Sequence, residues 1–274
     1  MSELYVLVEP EMPKRMHGDF QGYAVQTLSQ SLVVTIEDYL FKSGGNQIKL
    51  AGTPASVIII PDVNASAANI DDQMIIVELA LALLVTDGHP TLSTGAIFSG
   101  EKCVFAKIMR SESTTQPCTF PHSLNAAAAT QWLRRCFLAQ KNLRDRMHVT
   151  AHRYIKYSRS RTEQDALLDL AISLESLLDS QTEIAFRFAT SLSKVTGARG
   201  EEALKLATIL HDLYDIRSKI VHGNHQVTRL TRKIAPKLPE LHRLARRILT
   251  TYLLYASEKT YEEWTTFLHN SLYA

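Results

Sequence analysis

Hydrophobic positions in the first part of the chain fall in short runs. Leu4 to Val8, Ser31 to Ile36 and Val57 to Ile60 are rich in β-branched and aliphatic residues and predict strands, the last stopped by Pro61-Asp62. Gly95 to Met109 predicts a hairpin that turns at Gly100-Glu101, and one helix, about Asp71 to Val85, interrupts these runs. Beyond Pro121 the apolar spacing changes to three and four residues. It is clearest from Thr162 to Asp179, where Leu167, Leu170, Ala171, Leu174, Leu177 and Leu178 fall on one stripe. Further helices are predicted over 124–145, Met147 to Lys156, Thr182 to Thr196 ended by Gly197, Gly200 to Val221 ended by Gly223, Pro239 to Ser257, and Tyr261 to Asn270. The expected fold class is therefore an α+β N-terminal domain followed by an all-α bundle. The first would span 1–122, including an aperiodic Ser/Thr/Pro-containing linker over 111–122, and the second 123–274.

Composition narrows the class without naming a function. With 274 residues, 45% hydrophobic and 21% charged, the chain has enough apolar surface to bury a core and is not a disordered sequence. Its longest nearly apolar stretch, Met74 to Val85, contains Glu78 and falls short of the roughly 20 residues a membrane helix needs. Met1-Ser2-Glu3-Leu4-Tyr5 lacks the basic and apolar regions of a signal peptide. Cys103, Cys118 and Cys136 are odd in number and show no CxxC spacing, so free thiols in a reducing cytoplasm are expected.

Charge is more informative when it is divided. The net +2 of the whole chain conceals 7 basic against 13 acidic residues in 1–122, a net −6, and 23 against 15 in 123–274, a net +8. The second part is suited to a polyanion or an acidic surface. The alternative is that the two parts neutralise each other where they dock.

The segment with most chemical content is Leu213-Tyr214-Asp215-Ile216-Arg217-Ser218-Lys219-Ile220-Val221-His222-Gly223-Asn224. Leu206, Ile209, Leu213, Ile216 and Ile220 would form its buried stripe, leaving Arg217 and His222 off centre. Five residues at about 100° each set the two side chains about 140° apart on a straight helix. Gly223 and Asn224 supply the left-handed residue a helix terminus favours, which places His222 in the last turn. Either the backbone there swings the imidazole toward Arg217, or the same pair from a second subunit completes the site.

That phrase, with its Arg-x4-His spacing and a polar residue directly after the arginine, resembles the HEPN superfamily, particularly its Apea-like branch. Leu168 to Leu178 and Glu183 to Ala189 resemble the first two core helices of that branch, and the likeness spans about Met147 to Ser257. What the resemblance implies is a HEPN-type bundle that dimerises and brings two Arg-His pairs into one cleft. It also implies a metal-independent endoribonuclease, without cofactor, that acts as a toxin or antiviral defence effector. The alternative is a non-catalytic HEPN module that binds RNA, a nucleotide or a protein partner.

The side chains suit the chemistry. Histidine titrates near neutrality, so His222 can take a proton from a ribose 2′-OH or give one to the leaving 5′-oxygen. Arg217 stays charged and can hold a phosphate through two parallel hydrogen bonds. Ser218 is assigned hydrogen bonding to substrate or to His222, and Tyr214 either contacts a base or packs. Glu175 interrupts an apolar helix and needs a cation, for which Arg217 and Arg187 are the candidates. Lys219, Arg134, Arg135, Arg243, Arg246 and Arg247 are candidate RNA contacts, or else part of a solvated helix surface. An Arg and a His at a helix end also serve, more simply, as dipole partner and cap. His225, three residues after His222, suggests a metal pair, but no acidic or Cys ligand stands at suitable spacing nearby, so no metal site is predicted. In the first part, Gly44-Gly45 predicts a turn without a phosphate loop, and His17, His89, Asp71 and Asp72 form no constellation. A role in recognising a trigger or partner rests there on analogy of layout alone.

Overall fold

Leu4, Val6, Leu7 and Val8 are all buried, so the first strand has apolar neighbours on both faces. In the computed structural model this strand, β1 (Ser2–Glu9), sits inside an antiparallel sheet. The spatial order is β2 (Gly18–Phe20), β3 (Tyr23–Thr27), β4 (Ser56–Ile60), β1, β5 (Thr91–Ser99) and β6 (Lys102–Ile108). Val6 stands opposite Ile58 on one side and Gly95 on the other. The described residues are 2–9, 12–20, 23–27, 29–42, 56–61, 70–86, 91–108, 118–143, 145–178, 184–223 and 227–273. Gly44-Gly45, His89, Asn224, His225 and most of the 111–122 linker lie outside them.

One face of the sheet buries Leu7, Ala24, Val57, Ile59, Ala96, Phe98 and Cys103 together with Ile36 of α1 (Gln30–Lys42). Here the sequence expectation is corrected, because Ser31 to Ile36 opens this helix and is not a strand. Leu32, Ile36 and Tyr39 recur at helical spacing and pack on the sheet, and that burial outweighs the local β preference of the Val33-Val34-Thr35-Ile36 run. Gly95 marks the other face. A Cβ there would come within 2.3 Å of Met74 Sδ, so the missing side chain is what lets α2 (Ile70–Leu84) lie so close. The turn at Gly100, with φ +60°, joins β5 to β6 where the hairpin is expected. Trp132 Nε1–H donates to the Ala80 carbonyl at 2.9 Å and fastens the start of α3 (Ala126–Leu143) to α2.

The chain divides into two units, Met1–Arg134 and Arg135–Ala274, the division falling within α3. The second is helical: α4 (Asp145–Ser158), α5 (Glu163–Glu175), α6 (Ile184–Val195), α7 (Gly200–Val221), α8 (Val227–Ile234), α9 (Leu238–Ala256) and α10 (Tyr261–Tyr273). The sheet-bearing first part and the helical second part agree with the expected class.

Two devices hold the helical core. α9 presents Leu241, Leu244, Ala245, Ile248, Leu249, Tyr252, Leu253 and Ala256 on one buried stripe. Fully buried Trp264 of α10 meets Tyr252 edge-on at 4.4 Å and donates from Nε1 to the Leu177 carbonyl at 3.0 Å, closing the end of α5. α4 and α5 are joined by polar contacts: buried Asp169 accepts from Arg153 at 2.7 Å, with Lys156 at 3.6 Å. No helix among the described residues is long and apolar enough to cross a membrane.

Candidate functional site

The site is built on the C-terminal half of α7. Leu210, Leu213 and Ile216 are its buried positions, while Leu206, Ile209 and Ile220 are half-buried. The expected stripe is right at its centre and is shifted toward Leu210, because α7 packs against both α6 and α5 and so buries a wider arc. At about 100° per residue Arg217 falls inside that widened arc, between Leu210 and Leu213, whereas His222 lies on the far side of the helix.

Arg217 reaches α5. Its Nη2 lies 2.9 Å from Oε2 of Glu175 and donates to Oε1 at 3.3 Å. The two side chains are 24% and 21% exposed, so water screens this pair only in part. Of the two cations considered for Glu175, the structure uses Arg217, and Arg187 keeps its Nε buried without an acceptor. The guanidinium carbon also lies 5.8 Å from the centre of the Tyr214 ring, a cation–π approach, and that ring packs against Phe188 of α6 at 5.5 Å. Tyr214 thus packs and holds Arg217 from a second side. The Nε of Arg217 is buried without an acceptor.

His222 caps α7. Its N–H still reaches the Ser218 carbonyl at 3.0 Å, and the left-handed residue is Gly223, with φ +64°. The contact between Ser218 and His222 is therefore a main-chain one. With φ −88° and ψ 7°, His222 has already left the α-helical conformation, and the left-handed turn follows at Gly223. On a straight helix the two positions stand about 140° apart. The ring is exposed and has no hydrogen-bond partner among the described residues. Asn224 lies outside them.

The other candidate cations are dispersed. Lys219 is paired with Asp215 one turn earlier on α7. Arg135 lies 3.5 Å from Glu258, and Arg247 lies 3.8 Å from Glu202. Arg243 is exposed, whereas Arg246 is half-buried and its charge acts on the buried Tyr154 phenol, which burial pushes well above the usual range. Arg134 falls in the first unit. α8, absent from the expected helices, carries Arg229, Arg232 and Lys233, all exposed. The signal that could have found it is the absence of any Asp or Glu from Ile216 to Pro239. Among the described residues no group of three or more His, Cys, Asp or Glu stands close enough to hold a metal ion. No family model, curated protein or solved structure matches the chain.

Proposed function

We propose that the helical unit is a metal-independent endoribonuclease of HEPN type. The observation that supports this reading is that one helix carries both an exposed histidine at its end and, five residues earlier, an arginine steadied by Glu175 and Tyr214. In the proposed reaction a neutral His222 removes the proton from a ribose 2′-OH. The oxygen attacks the adjacent phosphorus, the P–O5′ bond breaks, and a protonated His222 supplies the leaving oxygen with a proton. One imidazole cannot begin in both states, so a homodimer, in which each chain contributes one His222, divides the two tasks. Arg217 holds the non-bridging oxygens as their charge grows. The products are a 2′,3′-cyclic phosphate and a 5′-OH, and DNA is left uncut. A role as a toxin or antiviral defence effector follows from the same reading.

The test uses His222→Ala and Arg217→Lys. The second retains a charge for Glu175 while losing the planar fork, so it separates phosphate recognition from folding. Both are expected to abolish formation of cyclic-phosphate ends on mixed RNAs, with EDTA having no effect on the wild type. Unimpaired cleavage by His222→Ala refutes the reading, as does a wild-type dimer that leaves every RNA intact.

One observation favours the second reading, a non-catalytic module that binds RNA, a nucleotide or a protein. Glu175 already occupies one edge of the Arg217 guanidinium, as it would in a purely structural pair. RNA binding without cyclic-phosphate ends decides for it.

A further inference from the structure

α8 follows His222 closely and has two dissimilar faces. Val227, Thr231 and Ile234 are buried against the bundle. Arg229, Arg232 and Lys233 are exposed and span an arc of about 100° on the opposite side. None of the three has an acidic partner among the described residues. Asp212 and Asp215, on the half of the neighbouring α7 that leads to His222, are already taken by Lys237 at 3.1 Å and by Lys219. The stretch from Ile216 to Pro239 holds Arg217, Lys219, Arg229, Arg232, Lys233 and Lys237 with no Asp or Glu. Five peptide units separate His222 from Val227, so the cap and the start of α8 lie within about 18 Å of each other.

Such a face costs free energy through self-repulsion unless something anionic lies on it. A lipid surface fits poorly. An interfacial helix inserts its apolar side, and in α8 that side is already used inside the protein. A nucleic-acid backbone fits well, because it offers a row of phosphates and asks only for outward-pointing cations. We propose that α8 is a phosphate-binding face that holds the RNA backbone alongside His222. This rests on reading the helical unit as RNA-directed, but it concerns binding and stands apart from cleavage.

The probe is a fluorescent 2′-O-methyl RNA strand of roughly 20 nucleotides, which lacks the attacking hydroxyl and stays whole. Anisotropy titrations over about 50–300 mM KCl compare wild type with the Arg229→Gln, Arg232→Gln, Lys233→Gln triple variant. Three phosphate contacts at about 0.7 each remove about 2 from the slope of log K against log salt, which is on the order of 50-fold in affinity near 0.15 M. All three side chains are exposed, so circular dichroism should be unchanged. Arg229→Lys with Arg232→Lys keeps the charge and is expected to keep the slope.

An unchanged slope and affinity in the glutamine variant overturns the proposal, even if the protein cleaves RNA. So does wild-type protein that ignores the RNA probe and binds phosphatidylserine vesicles or polyglutamate instead. If the wild type binds the probe, the glutamine variant binds it weakly, and unmodified RNA is never cut, the face is supported and the catalytic reading fails.

Discussion

Glu175→Gln removes the charge opposite Arg217 while keeping the shape of the side chain. With charge centres about 4 Å apart and an effective dielectric constant of about 20, the gross attraction is about 4 kcal/mol. Desolvation and the entropy of holding two long side chains offset much of it, and both groups retain some water, at 24% and 21% exposure. The expected net coupling is about 1–2 kcal/mol. It can be measured by a double-mutant cycle of Glu175→Gln and Arg217→Gln under urea unfolding at neutral pH, read by tryptophan fluorescence. The two tryptophans, Trp132 and Trp264, lie in different units. Placing all four proteins on a Trp132→Phe background therefore confines the signal to the helical unit. Arg217→Gln alone should also destabilise, because it strands a half-buried carboxylate, and the double variant should recover part of that loss. A coupling below about 0.3 kcal/mol refutes the reasoning, since the pair would then be worth no more than a loose surface contact.

Trp264→Phe removes the indole donor from the buried Leu177 carbonyl and leaves a small void, an expected loss of about 2 kcal/mol in urea unfolding of the helical unit. Gly223→Ala places a Cβ at φ +64° and should cost about 1 kcal/mol by thermal melting, while the open space around the residue makes a larger effect unexpected. Burial pushes the Cys103 and Cys118 thiols up to about 11, and that of Cys136 beyond the usual range. In the native protein all three should react slowly with alkylating reagents at pH 8 and quickly after denaturation. The same shifts give stability a definite pH dependence. Below the free-thiol pKa of about 8.5 both states are protonated and nothing changes; as pH rises from there toward about 11, only the unfolded thiols ionise, so stability falls. A thiol-dependent rise in stability over that range would contradict the burial.

The hydrophobic periods of this chain were enough to separate a strand-bearing first part from a helical second part, because a period of two and a period of 3.6 each describe a surface that must be covered. They also located β1, β4, the β5–β6 hairpin and most of the long helices, and they placed His222 at a helix end, since Gly223 makes that signal locally. Short or conflicted segments were not legible. Ser31 to Ile36 carries a local β preference that only packing of Leu32, Ile36 and Tyr39 on the sheet overrules. α8 carries its four- and three-residue spacing in only eight residues, and one of the three buried positions, Thr231, is polar. For the site, sequence supplied the residue types and their spacing along the chain. Tertiary structure alone decided that Glu175 takes Arg217 and not Arg187. It also separated the dispersed, partly paired cations of α9 from those on α8, which have no acidic partner among the described residues. The physical reason is common to both. Periodicity records which side chains must leave water, whereas the partner of a charge depends on distances between helices far apart in the chain, which no local pattern encodes.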